Sequence, residues 1–138
     1  MDSYSIVIGR FLLGLYFFIP GLRKFTESDQ LIAYMHSHDV AFAPQLLWIA
    51  GTASLIGGVL LMSGRYVKIA AYGFVVYVLL VNFMLHNFWT MSDDVVAREM
   101  QNFVKNLAIV AGLLVVAGYA VPRRPSLNGW WRNDKSVV

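Results

Sequence analysis

The sequence predicts an all-α fold, an integral membrane four-helix bundle with both termini cytoplasmic. Three observations carry the prediction. Hydrophobic residues make up 58% of the chain and charged residues only 14%, an apolar excess that a typical soluble domain of this size does not show. Four apolar stretches, roughly residues 4–23, 44–63, 66–87 and 101–121, each approach the ~20 helical residues needed to cross a hydrocarbon core about 30 Å thick. Lys and Arg fall mainly on one side of those spans, which sets orientation in the bilayer.

The first span resembles a secretory signal in length. It has no basic leader before its apolar run and no small-residue cleavage site after it, so it is expected to stay attached as a helix. One stripe of this helix carries Arg10, Gly14, Phe17, Gly21 and Lys24, and Pro20 beside it is placed to bend the outer third. The segment Gln30–Gln45 holds Leu31, Ile32, Tyr34, Met35 and Phe42, enough apolar surface for a short interfacial helix capping the bundle. In the second span, Ala50, Ser54 and Gly58, and also Ala53 and Gly57, repeat small residues at four-residue spacing, the pattern that lets helix backbones approach closely in lipid. The third span aligns Tyr72, Val75, Leu79, Asn82, His86 and Trp89, and the fourth aligns Asn102, Lys105, Ile109, Gly112, Val116 and Tyr119. Short turns and shared stripes predict one bundle over residues 1–121, followed by a basic, Trp-containing tail over 122–138.

With four spans the two termini share a side. That side has Arg65, Lys68, Arg123, Arg124, Arg132 and Lys135, whereas Arg23, Lys24 and Arg98 on the other side stand among Glu27, Asp29, Asp39, Asp93, Asp94 and Glu99. Trp130 and Trp131 suit a tail lying at headgroup level. The net charge of +3 fits anionic lipid on that face, with the bilayer rather than nucleic acid as the partner. The chain has no cysteine, which excludes a thiol relay, a thiolate metal site and an iron–sulfur cluster within it. His36 and His38 are two residues apart and so lie on different helix faces, and no carboxylate is arranged with them and His86 as a further ligand. No metal site is expected.

The chemistry is expected where polar groups enter the apolar spans. A charged side chain at the bilayer centre costs at least ~2.5–3.5 kcal/mol, so one is kept where a partner, a cavity or a function offsets it. Asn82 and His86 near the end of the third span, and Lys105 and Asn106 near the start of the fourth, lie at matched depth, and Lys24 closes the first span on the same side. Arg10 belongs to the inner half. Lys24 and Arg10 also have simple readings as snorkelling anchors, and a lone His86 is more often structural. The candidate ligand-binding set is therefore Asn82, His86, Lys105, Asn106, Arg10 and Lys24.

Arg10 followed by Leu13-Gly14 and Gly21-Leu22-Arg23-Lys24-Phe25, then Ile56-Gly57-Gly58-Val59-Leu60-Leu61 and Gly64, then His86-Asn87-Phe88-Trp89 and Asn102-Phe103-Val104-Lys105-Asn106-Leu107, resemble in order the motifs of the DoxX family. The resemblance covers roughly residues 6–118. It implies a four-helix bacterial inner-membrane protein, associated in some relatives with quinone-linked or stress-related oxidoreductase complexes, and it carries Arg10, Lys24, His86, Lys105 and Asn106 as family positions. Many members resembling this chain have a glutamate where Ser54 stands, so an intramembrane counter-ion for Arg10 or Lys105 is missing there. The leading expectation is a membrane-embedded subunit of a redox system, without independent catalysis required of it. Its outer-half pocket would hold a quinone-like headgroup on donors Asn82, His86, Lys105 and Asn106, with Phe83, Phe88, Trp89 and Phe103 packing the ring. Redox partner proteins and a homo-oligomer are compatible with that role. The alternatives are a small-anion carrier or channel using Arg10 and Lys105, and a non-catalytic membrane scaffold in which the polar residues join helices.

Overall fold

The computed structural model of the protein describes residues 3–135; residues 1–2 and 136–138, the extreme ends of the two expected regions, lie outside the described residues. Five α-helices follow one another: α1 (Tyr4–Thr26), α2 (Ser28–His36), α3 (Ala43–Ser63), α4 (Val67–Leu85) and α5 (Asp93–Tyr119), with a 3-10 turn over Phe88–Thr90 between the last two. Four of them, all but α2, are long and apolar enough to cross a membrane. Helices α1, α3 and α4 lie over the first three apolar stretches, and α2, at Ser28–His36, overlaps only the first part of the segment 30–45 and begins two residues before it.

The last helix differs. It begins at Asp93, eight residues before the expected start at 101, and runs for 27 residues, about 40 Å at 1.5 Å per residue. That exceeds the hydrocarbon thickness, so its first two turns can stand in the headgroup layer, where Asp93 and Asp94 complement the positive end of the helix dipole. Ser92 at the N-cap position followed by two acids is the sequence signal of this start. An apolar-window reading passes over it because these turns are polar.

Helix α1 packs antiparallel on α3 through glycine. A Cβ placed on Gly14 would lie 2.7 Å from the carbonyl oxygen of Gly58, and one on Gly58 would lie 2.8 Å from that of Gly14, so the two backbones touch with no space for a side chain. Gly21 against Ser54 and Leu55, and Gly51 against Phe25 and Lys24, continue the seam outward. Helix α3 ends at Gly64 (φ 71°) with Gly64 N bonded to Leu61 O and Arg65 N to Leu60 O, the left-handed closure that glycine permits. Phe17 of α1 stacks on Phe74 of α4 at 3.8 Å between centroids. Leu61, Val67, Val78, Val110, Leu113 and Ala117 complete the core around them.

The expected faces of α1 hold, with Gly14, Phe17 and Gly21 buried. In α4 the buried stripe is Ala71, Phe74, Val78 and Asn82 rather than Tyr72, Val75, Leu79 and Asn82. In α5 it is Glu99, Asn106, Val110, Leu113 and Ala117 rather than the stripe through Lys105, Ile109 and Gly112. Both are rotated by one position. Lipid solvates Tyr72 or Leu79 as well as a protein core does, so apolar side chains carry little information about facing, and small residues such as Ala71 decide the contact.

The tail folds back on the turn between α3 and α4. The Asp134 carboxylate accepts hydrogen bonds from the backbone N–H of Tyr66 (3.0 Å) and Val67 (2.8 Å), filling the otherwise empty first donors of α4. Its own N–H donates to Gly64 O at 2.8 Å. Arg123 holds Asp134 at 3.3 Å, donates to the carbonyl oxygens of Gly129 and Arg132, and lies over the Tyr66 ring at 4.3 Å. Trp130 and Trp131 remain exposed. Losing a helix cap costs about 1 kcal/mol. Asp134→Ala is therefore expected to lower the thermal unfolding midpoint of purified protein by several degrees; an unchanged midpoint would show that the tail adds nothing to α4.

Candidate functional site

At the end of the bundle away from the termini, α4 and α5 are joined by polar side chains. Asn82 is fully buried: its Nδ2 donates to Phe103 O at 3.1 Å, and its Oδ1 accepts from Asn106 Nδ2 at 2.7 Å. One turn further, His86 Nδ1 lies 2.6 Å from Glu99 Oε2. An ionised carboxylate has no proton to give, so Nδ1 carries the hydrogen and donates, and in the neutral ring Nε2 then presents an acceptor lone pair on the side away from Glu99. Glu99 is buried at 6% exposure although Arg98 beside it, 3.6 Å from the second carboxylate oxygen, is open to solvent. Tyr34 of α2 feels the same carboxylate. Burial, followed by the Glu99 charge, pushes its phenol above the ordinary range, with Arg98 opposing.

Glu99 is absent from the set expected from sequence. Hydropathy leaves it among the acids of the outer loop because the apolar run begins only at 101, two residues beyond Glu99. Its signal was a seven-residue spacing to Asn106, which puts both on one stripe.

A cavity of about 140 Å³ lies between α1, α4 and α5. His86, Lys105, Asn106, Lys24, Ser54 and Tyr77 give it polar walls, Phe17 and Val78 close it toward the core, and Tyr16 borders it from the exposed face of α1. Lys24 Nζ is 3.5 Å from Pro20 O and 5.7 Å from the centroid of the Tyr77 ring. Lys105 is exposed as a whole residue yet borders the same chamber. Ser54 is buried and faces it from α3.

Four of the six expected residues thus surround one chamber: Lys24, His86, Lys105 and Asn106. Asn82 does not line it, because its amide is committed to the α4–α5 contact. Arg10 is at the opposite end, where its guanidinium lies against Gly64 and shares a small recess with Asp134 and Lys135. The ring-packing residues also differ from expectation. Phe83, Phe88, Trp89 and Phe103 pack on one another with centroids 5.3–6.2 Å apart and none lines the chamber; Tyr16, Phe17 and Tyr77 do so instead. The aromatic cluster sits apart from the chamber, with Phe83 and Trp89 exposed, as suits aromatic side chains at the edge of a bilayer.

Among the described residues no three His, Asp or Glu side chains come together as a metal-binding group. His38 is engaged locally, its Nδ1 3.0 Å from Tyr34 O and its ring 4.5 Å from that of Tyr34.

Comparison with known proteins places these features in context. The DoxX family pattern matches residues 5–87. Inner membrane protein YphA of Escherichia coli (strain K12) is 29% identical over 112 residues, covering 81% of this chain and 80% of that protein. No solved structure gives a significant match.

Proposed function

This chain belongs to the DoxX family and is a multi-pass protein of the bacterial inner membrane, and from that premise we propose that it is a membrane-embedded subunit of a redox system, holding a quinone-like headgroup in the chamber beneath His86. The observation that carries the reading is the chamber's unbalanced charge. Two ammonium groups border it, and the nearby carboxylate of Glu99 is engaged at the back of the His86 imidazole. A ligand with carbonyl or oxyanion acceptors would take up the ammonium donors, a reduced hydroxyl could donate to His86 Nε2, and the cations would stabilise the reduced, anionic form more than the neutral one.

The chamber also ends blindly. Below it the Phe17–Phe74 stack and Leu61, Val78 and Leu113 fill the bundle, which favours holding a molecule over conducting an anion. The reading takes both termini as cytoplasmic on the strength of the basic residues at that end, which sets the chamber in the periplasmic half; a C-terminal reporter that fluoresces only in the cytoplasm checks the side. Solvent extracts of purified protein are expected to contain near-stoichiometric quinone, and the combined His86→Ala and Lys105→Ala variant is expected to contain at most about a tenth as much. Equal quinone in both would reject the assignment.

A further inference from the structure

Beside the polar chamber lies a second, larger cavity of about 440 Å³, bounded by α2 and the neighbouring ends of α1, α3 and α4. Nearer the turn that joins α3 and α4, Phe74 fills the space over Gly57. At the other end α2 spans the gap without filling it. Pro20, Lys24, Tyr77 and Val81 line both cavities, so the two adjoin across one wall of side chains. The walls of the larger one are otherwise almost wholly apolar, with Leu31 and Met35 from α2, Ala50 and Ala53 from α3, and Leu80 and Met84 from α4.

Such a space neither attracts nor retains ordered water, which needs two or more polar partners. Its volume is that of a small-molecule site, and its polar edge is shared with the headgroup chamber. We propose that it holds the hydrocarbon chain of the same ligand, so that the molecule bound is a long-chain membrane quinone entering sideways beneath α2, not a water-soluble ring compound. The inference rests on the headgroup reading above and adds to it the chain, the entry side and the residues that select for chain length. The ring sits against Lys24, Tyr77 and His86, and the chain runs between α3 and α4 toward the bilayer.

The test compares two quinones with the same ring, one bearing a decyl chain and one bearing none, titrated by fluorescence quenching into protein in lipid nanodiscs. Ala53→Trp fills the cavity from α3, and Met84→Trp narrows it from α4. In the wild type the decyl quinone is expected to bind at least about tenfold more tightly. In either variant that advantage should vanish while the chainless quinone binds as before, which also reports that the variant is folded. A decyl advantage that survives both substitutions, or none in the wild type, would overturn the chain assignment and leave the headgroup reading standing. Failure of both quinones to bind the wild type would overturn the headgroup reading itself.

Discussion

Gly14→Val is expected to abolish the folded bundle. The first atom added at this position already falls 2.6 Å from the Met62 side chain and 2.7 Å from the Gly58 carbonyl oxygen; the side chain can rotate away, but the carbonyl belongs to a helix and cannot. The helices would have to separate along the seam that also holds Gly21 on Ser54 and Gly51 on Phe25. Overpacking a well-filled interior costs about 1–3 kcal/mol, and separation here would further forfeit the close packing that drives helix association in lipid. Gly9, one and a half turns earlier on the same helix, has no neighbour within 4 Å of a Cβ. Size-exclusion chromatography should therefore show Gly9→Val eluting as wild type and Gly14→Val aggregating. Identical profiles would mean that α1 and α3 do not cross at these glycines.

Glu99→Leu is expected to remove most of the bound quinone while leaving the bundle folded. The substitution keeps an apolar contact at the top of α5 but leaves His86 Nδ1 with a buried hydrogen and no acceptor, at a cost of about 1–3 kcal/mol. Neutral imidazole would then favour whichever tautomer suits its new surroundings, and its Nε2 would no longer be fixed toward the chamber. A tenfold loss of ligand corresponds to about 1.4 kcal/mol, within that range. Glu99→Gln retains an oxygen acceptor in the same place and should keep an intermediate amount. If Glu99→Leu carries wild-type quinone, the His86–Glu99 pair only fastens α4 to α5.

The fold was largely legible because a bilayer imposes length and apolarity on every span, and α1, α3 and α4 meet that rule plainly. The start of α5 was less so, since its first two turns are governed by caps and charge rather than by hydropathy. Facing was legible where a glycine or polar group marked it, as at Gly14 and Asn82, and missed where Tyr72 or Lys105 was weighed by chemical type alone. Lys105 and Asn106 are adjacent, so they point about 100° apart on a helix; Asn106 takes the buried position and Lys105 the edge of the chamber. For the site, depth-matching found His86, Lys24, Lys105 and Asn106. It missed Glu99, whose role depends on a helix register that apolar windows do not see, and Asp134, which reaches the N-terminus of α4 from 68 residues away. Tertiary capping of that kind has no local sequence signature.

The most direct test of the central claim is an experimental structure of the protein in nanodiscs supplied with a long-chain quinone. The account predicts ring density between Lys24, Tyr77 and His86, with a carbonyl oxygen within hydrogen-bonding distance of Lys24 Nζ or Lys105 Nζ. A chamber closed by its own side chains at saturating quinone, with the Lys105 ammonium turned out to the lipid headgroups, would contradict it.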